Sequence, residues 1–214
     1  MQIVRGMTEA RRAFAGRGGQ HVDEAARHAV TRIVEAVRQE GEEALRRYSQ
    51  QFDGIALDDW RVPPAAFEEA EQATQPELAS AIRLAAERIR AYYEQQPRGG
   101  FLRQAPGELL GQLIRPLERV ACYVPAGTAP LFSTVLMSAI PARVAGVEEV
   151  LVATPPRKDG SVAPEILIAA RQAGVTDVYR IGGAQAVAAL AYGTQTIPKV
   201  DKIVGPGNRY VVLA

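Results

Sequence analysis

The 214-residue sequence has one cysteine, two histidines and a formal net charge of +1. A single thiol excludes a framework of internal disulfides and fits a reducing compartment. A nearly neutral chain gives no electrostatic reason to bind nucleic acid or an anionic membrane. With Cys122 alone and no histidine pair, the sequence offers no closed transition-metal site.

The sequence also lacks long apolar runs, although 47% of its residues are hydrophobic. Its first residues carry no apolar stretch of the kind that forms the core of a signal peptide. The most apolar helix candidate, Leu131 to Ala145, is interrupted by Pro141 and Arg143 and is too short to span a bilayer. We therefore expect a cytoplasmic protein with neither a membrane nor a nucleic-acid partner.

Familiar catalytic and nucleotide-binding sequences are missing as well. The glycine-containing stretch Gly182 to Gly193 does not have the G-x-G-x-x-G spacing, and no P-loop occurs. We expect His21 and His28 to be exposed, because one lies in a polar stretch and the other off an apolar helix face. Cys122 lies within a predicted strand, where burial disfavours a nucleophile. The residues alone predict a binding cradle without a catalytic base.

Charged residues are concentrated in the first part of the chain. Residues 120–214 contain 14 charged residues in 95, whereas residues 1–119 contain 35 in 119. This drop is typical of helices that give way to a parallel sheet covered on both faces. We place a boundary there, between a mainly helical segment of residues 1–118 and an α/β domain of residues 119–214.

The N-terminal segment has the period of amphipathic helices. In a helix predicted over residues 22–40, one apolar face is formed by Ala26, Val30, Ile33 and Val37. Further helices are predicted over residues 42–51 and 64–73. A longer helix begins at Pro76, and its predicted buried side comprises Leu78, Ile82, Ala85, Ile89 and Tyr92. Short strands are predicted over residues 59–62 and 109–114.

From residue 119 onward, strands alternate with helices. The predicted strands are residues 119–124, 149–153, 177–181 and 202–204; the predicted helices are residues 132–145, 164–173 and 184–192, with a last one from Asn208 or Arg209. This alternation predicts right-handed βαβ units and a parallel sheet with flanking helices. Each strand ends in a turn of small residues or prolines, so the turns line the ligand-binding edge of the sheet. A helix N-terminus behind such a turn suits an anion such as pyrophosphate.

Two irregularities accompany this pattern. Pro141 lies inside the helix predicted over residues 132–145, where we expect a kink or a break. The sequence stops at Ala214, within an apolar stretch that has no glycine, asparagine or basic C-cap. That ending favours a fragment over a complete protein.

Three side chains at the strand ends are candidates for ligand binding. Gln185 follows a Gly-Gly turn, and it is either a ligand contact or an ordinary polar residue at a helix start. Asn208 follows Gly-Pro-Gly, and it is either a ligand contact or an N-cap. Tyr123 precedes a proline, and it is either a ligand contact or a half-buried strand aromatic. The pattern leaves both interpretations open for each residue.

Several stretches together resemble histidinol dehydrogenase, in that family's order and spacing. The most specific are Pro130–Met137, Gly182–Gly193 and Pro198–Asn208. Gly41–Ser49 and Phe52–Gly54 are similar to the family's early helical segment. The resemblance runs from about residue 20 to the end of the sequence and covers the N-terminal half of the family.

The resemblance implies a zinc-dependent homodimeric enzyme of histidine biosynthesis that oxidises L-histidinol to L-histidine through L-histidinal with NAD. It implies a Rossmann-like, aldehyde-dehydrogenase-like fold, with residues 119–214 as the NAD-binding domain. The family's NAD-contacting tyrosine, glutamine and asparagine match Tyr123, Gln185 and Asn208. Its zinc ligands and its Glu-His acid/base pair match no residue here, so we expect the 214 residues alone to be inactive.

Two other functions stay open at this point. One is a standalone nucleotide-binding module without chemistry, and the other is a related dehydrogenase for a different amino alcohol. The nucleotide sequence beyond the Ala214 codon separates the first of these from a truncated enzyme.

Overall fold

The computed structural model describes residues 6–14, 24–97, 99–126 and 130–214. His21 and part of the turn after the strand at residue 119 lie outside these residues. The helices are α1 (Met7–Phe14), α2 (Glu24–Glu40), α3 (Glu42–Phe52), α4 (Pro64–Ala73), α5 (Pro76–Glu94), α6 (Phe132–Val144), α7 (Pro164–Ala173), α8 (Gly183–Tyr192) and α9 (Arg209–Leu213). The strands are β1 (Phe101–Ala105), β2 (Glu108–Gln112), β3 (Arg119–Tyr123), β4 (Glu149–Thr154), β5 (Asp177–Arg180) and β6 (Lys202–Val204).

Four of these strands form a parallel sheet in the order β5-β4-β3-β6. The register places Arg119 of β3 opposite Glu149 of β4, and Tyr123 opposite Ala153. β6 pairs with the other side of β3, and β5 pairs with β4. The predicted α/β fold with a parallel sheet is therefore confirmed.

Alternate side chains of the central strands belong to two separate cores. Val120 and Cys122 share one core with α5, α6 and α7, whereas Ala121 and Tyr123 share the other with α3 and α8. Leu45 of α3 is fully buried in this second core, where burial of a leucine contributes about 1.5–3 kcal/mol. The N-terminal helices thus complete the cores on both faces of the sheet. The boundary near residue 119 stays a prediction.

The predicted helix faces are largely confirmed. The four apolar residues of α2 are buried and His28 is exposed. In α5, Ile82 is buried, but Tyr92 is 68% exposed, so that part of the prediction is wrong. The helix turns by about 1000° between these two residues, which leaves Tyr92 about 80° from the buried line. Its ring instead packs edge-on against Tyr93, with 5.3 Å between ring centroids.

Three other local predictions differ in outcome: one strand is hardly formed, a second is confirmed with shifted bounds, and the possible break at Pro141 does not occur. The strand predicted at residues 59–62 is reduced to one antiparallel bridge between Arg61 and Tyr179. The strand predicted at 109–114 is β2, and it pairs in a hairpin with the unpredicted β1. Pro141 does not break α6, which is continuous over thirteen residues. The proline removes only the N–H opposite the carbonyl of Met137, a residue exposed enough for water to replace that bond.

No helix among the described residues is long and apolar enough to cross a membrane.

Candidate functional site

The order of strands reverses between β3 and its neighbour β6, which is the edge strand on that side of the sheet. From β3 the chain continues through α6 to β4 on one side, whereas β6 follows α8 and lies on the other side. The loops that leave these neighbouring strands therefore diverge and open a crevice beyond their carboxyl ends. Tyr123 ends β3 and Asn208 follows β6, so two of the three predicted residues border this crevice.

The backbones at the two strand ends approach each other closely. Gly205 has a φ of +138°, and a Cβ added there would lie 2.1 Å from the carbonyl oxygen of Tyr123. A residue with a Cβ atom does not fit at this distance, so the backbone after β6 can approach the end of β3 only because position 205 is glycine. The turn that carries Asn208 is thereby held against the end of β3.

Tyr123 connects the end of β3 to the start of α8. Its side chain is 4% exposed, and its hydroxyl oxygen accepts a hydrogen bond from the backbone N–H of Gly183 at 3.1 Å. Burial raises the pKa of this hydroxyl, and the bond from Gly183 lowers it in part. The hydroxyl is therefore neutral near pH ~7 and keeps its own proton for donation.

Gln185 lies in the first turn of α8 with only 1% of its surface exposed. Its Oε1 atom is buried and has no hydrogen-bond partner among the described residues. The amide folds over Gly183, where an added Cβ would lie 2.6 Å from Oε1. Leaving a buried amide oxygen without a donor costs about 1–3 kcal/mol, so this atom suits a ligand that supplies one.

Gln185 and Tyr123 therefore both lie beside Gly183. We call Tyr123, Gly183 and Gln185 the β3–α8 corner. The sequence pattern predicts both side chains at strand ends, and in the structure both are next to this glycine.

Asn208 is exposed and acts as the N-cap of α9. Its Oδ1 atom accepts hydrogen bonds from the backbone N–H groups of Tyr210 at 3.0 Å and Val211 at 3.2 Å. The capping interpretation is therefore confirmed for the oxygen. The Nδ2 group takes no part in the cap, and a binding role for Asn208 stays a prediction.

Asp53 is a polar residue near the corner that sequence analysis did not select as a site residue. It is the C-cap of α3, and its Oδ2 atom is buried without a hydrogen-bond partner among the described residues. Burial raises the pKa of its carboxyl group. The negative charge of this carboxylate contributes to the raised pKa of the Tyr123 hydroxyl, after the larger effect of burial. One sequence signal for Asp53 was that Phe52–Gly54 is similar to the early helical segment of the family named above. No spacing along the sequence relates this stretch to β3.

The segment after Asp53 runs along the carboxyl edge of the sheet. A Cβ added at Gly160, in the loop after β4, would lie 3.3 Å from Leu57. Arg180, which ends β5, donates hydrogen bonds to the carbonyls of Asp59 and Gly160 at 3.1 and 3.3 Å. Residues 53–60 therefore cover the edge from β5 toward β3.

Other features contribute less to a site. A cavity of about 380 Å³ lies between α4 and the loop after β4, and none of its lining residues belongs to the β3–α8 corner. The described residues contain no group of three or more histidine, cysteine or acidic side chains that could hold a metal ion. Burial raises the pKa of the Cys122 thiol to about 12, which makes it a poor nucleophile or ligand.

Comparison with known proteins identifies the family. A family model described as histidinol dehydrogenase matches residues 17–214. The chain belongs to the histidinol dehydrogenase family. The resemblance found in the sequence is therefore confirmed.

Curated histidinol dehydrogenases match this chain over most of its length. The Deinococcus radiodurans protein is 56% identical over 185 residues, which cover 86% of this chain and 42% of that protein. The Thermus thermophilus protein is 52% identical over 206 residues, which cover 96% of this chain and 48% of that protein. The chain thus spans a little less than half the length of these histidinol dehydrogenases.

A solved structure supports the same family at the level of the fold. The crystal structure of histidinol dehydrogenase from Elizabethkingia anophelis superimposes with a TM-score of 0.82 and 38% sequence identity. The match covers 86% of this chain and 43% of that one. The parallel sheet and its helices are therefore shared with a solved histidinol dehydrogenase.

Proposed function

We propose that this chain is the NAD-binding part of a histidinol dehydrogenase, which oxidises L-histidinol to L-histidine through L-histidinal. Family membership supports the reaction, and the β3–α8 corner supports the cofactor. The observation that carries the proposal is the buried amide oxygen of Gln185, which has no hydrogen-bond partner among the described residues and lies in the first turn of the helix whose start bonds to Tyr123.

The residues at this edge fit a dinucleotide in three respects. The crevice lies where parallel α/β sheets bind nucleotides. The N-termini of α6 and α8 follow strand ends at this edge, and helix N-termini favour phosphate. Tyr123, Gln185 and Asn208 add one hydroxyl and two amides, which are neutral groups suited to sugar, phosphate and carboxamide oxygens.

NAD, when bound, would supply the hydride acceptor. The roles proposed for this chain are binding and orientation: Tyr123, Gln185 and Asn208 contact the nucleotide, and Tyr123 also holds the start of α8 in place. The described residues do not fit the zinc that the family implies, because they offer no suitable cluster of ligands. We therefore assign no zinc-dependent step to them.

The finer structural expectations belong to the same proposal. We propose that residues 119–214 form a Rossmann-like, aldehyde-dehydrogenase-like NAD domain, and that the complete enzyme is a cytoplasmic homodimer. The sheet order and the family support the first statement, and the family supports the second.

The test is a calorimetric titration of the purified 214-residue chain with NAD. We expect binding, and we expect Gln185→Ala to weaken it about two- to tenfold, because one neutral hydrogen bond is lost. Gln72→Ala is the matched control, since Gln72 is an exposed glutamine of α4. Equal affinities in wild type and Gln185→Ala would remove the glutamine from the site, and no binding by wild type would overturn the proposal.

A further inference from the structure

We propose that Asp53 is a further ligand-binding residue, whose carboxylate accepts a hydrogen bond from a ribose hydroxyl of the bound nucleotide. This inference rests on the proposed NAD-binding function. It assigns to the helical segment outside the sheet a direct part in nucleotide recognition.

The fold holds Asp53 at the edge where the nucleotide is expected. Its backbone N–H donates to the carbonyl of Ser49 at 2.9 Å, which fixes the residue at the end of α3. Gly54 follows with a φ of +72°, and the chain then turns onto the carboxyl edge of the sheet. Ile55 and Leu57 lie near Gly160 in the loop after β4. Asp53 is therefore the first residue of the strap that covers this edge.

One carboxylate oxygen of Asp53 has no partner among the described residues that would explain its position. Its Oδ2 atom is buried and unpaired among the described residues, as is Oγ of Ser49, one helical turn earlier on the same side of α3. Native proteins leave few such atoms unsatisfied. Asp53 as a whole is only half-buried. Rotation about its broad χ2 torsion is enough to turn an oxygen toward a ligand.

The neighbouring groups define the chemistry of that ligand. The Tyr123 oxygen already accepts a bond from Gly183, so its own proton remains to be donated. Asp53, in its ionised form, can accept hydrogen bonds but cannot donate them. A ligand hydroxyl satisfies both, because it accepts from Tyr123 and donates to Asp53. Phosphate has no proton to donate when fully ionised, and the carboxylate repels it.

This pairing matches the use of acidic side chains in other dinucleotide sites, where a carboxylate binds a ribose hydroxyl. Here the acid comes from a helix before the sheet instead of from a strand within it. NADP differs from NAD by a 2′-phosphate on the adenosine ribose, whereas the nicotinamide ribose is the same in both. Comparing the two cofactors therefore shows which ribose Asp53 binds.

The experiment titrates wild type, Asp53→Ala and Asp53→Asn with NAD and NADP, with melting temperatures for each variant. Asp58→Ala is the matched control, because Asp58 is an exposed acid of the same segment. We expect Asp53→Ala to weaken NAD about tenfold or more, since a charge-assisted bond is lost, and Asp53→Asn to weaken it less. We expect the Asp53→Asn melting temperature to be unchanged or higher, because the buried Oδ2 atom has no hydrogen-bond partner among the described residues to lose.

The NADP titrations identify the ribose. If Asp53 binds the adenosine ribose, wild type prefers NAD over NADP and both variants reduce that preference. If it binds the nicotinamide ribose, NAD weakens while the ratio of NAD to NADP affinity is constant. NAD affinities unchanged in both variants would overturn the inference, and if Gln185→Ala still weakened NAD the proposed function would stand without it. A lower melting temperature with unchanged NAD affinity would show that Asp53 stabilises the fold and does not bind the nucleotide. If the wild-type chain does not bind NAD, both the proposed function and the proposed role of Asp53 are wrong.

Discussion

Asn208 performs one local task that the structure defines, and a second task that stays a prediction. Its oxygen caps α9, whereas the proposed ligand contact uses the amide nitrogen. The two tasks belong to different atoms of one side chain, so substitutions can separate them.

We expect Asn208→Ala to accelerate amide hydrogen exchange at Tyr210 and Val211, because both N–H groups lose their acceptor. The cap is worth about 1 kcal/mol, which corresponds to roughly fivefold faster exchange. Asn208→Ser should restore slow exchange, since serine caps well, but it should not restore NAD affinity. If serine restores both, Asn208 is only a cap and the nucleotide is bound without it.

Sequence pattern could place Tyr123 and Gln185 at strand ends but could not show that they meet at Gly183. That contact depends on the tertiary structure, because the turn into α8 follows β5, and β4 lies between β5 and β3 in the sheet. The obstacle to predicting Asp53 as a site residue is greater. Its proximity to Tyr123 arises from the packing of α3 on the sheet, and no local spacing in the sequence encodes such a tertiary contact.

At the scale of elements, the start of α3 is joined to the loop before β6 by a buried carboxylate. Oε1 of Glu42 accepts hydrogen bonds from the backbone N–H of Thr196 at 2.7 Å and from its hydroxyl at 2.6 Å. The Thr194 hydroxyl donates to the same oxygen at 3.3 Å. In return, the backbone N–H of Glu42 donates to Oε1 of Gln195 at 3.1 Å. These bonds fix the N-terminal helices to the sheet.

We predict that Glu42→Ala lowers the free energy of unfolding by about 2 kcal/mol, because it leaves buried donors without an acceptor. Glu43→Ala is the matched control, since Glu43 is the exposed neighbour in the same helical turn, and it should change stability by less than about 0.5 kcal/mol. Urea denaturation with a constant m-value measures both. Equal midpoints for the two variants would show that the Glu42 bonds contribute no net stability.

The elements after residue 119 could be predicted because strands and helices there alternate with clear turn residues. The errors fall where context overrides pattern. Pro141 stays within α6, whose residues Val135, Leu136, Ala139 and Ile140 are buried against the sheet and its neighbours. The β1–β2 hairpin has almost entirely exposed side chains, so it lacks the apolar alternation by which a half-buried strand is recognised.

At the scale of the molecule, binding and chemistry are separable in this chain. We propose that the β3–α8 corner and Asp53 bind a nucleotide. The described residues offer no cluster for a metal ion, and His28 is an exposed residue of α2. The chain also spans less than half the length of its curated relatives. A bound nucleotide without turnover is the behaviour that these facts together favour.

We therefore predict that the 214-residue chain binds NAD but does not reduce it with L-histidinol, with or without added zinc. Oxidation of an alcohol requires a base that removes the hydroxyl proton, and a group able to do so is needed within hydrogen-bond reach of the substrate. NADH fluorescence follows the reaction, and the Thermus thermophilus histidinol dehydrogenase under identical conditions is the positive control. The calorimetric titration with NAD distinguishes lack of turnover from lack of binding. NADH formation that rises in proportion to the concentration of homogeneous chain would contradict the prediction and would place a catalytic base within these residues.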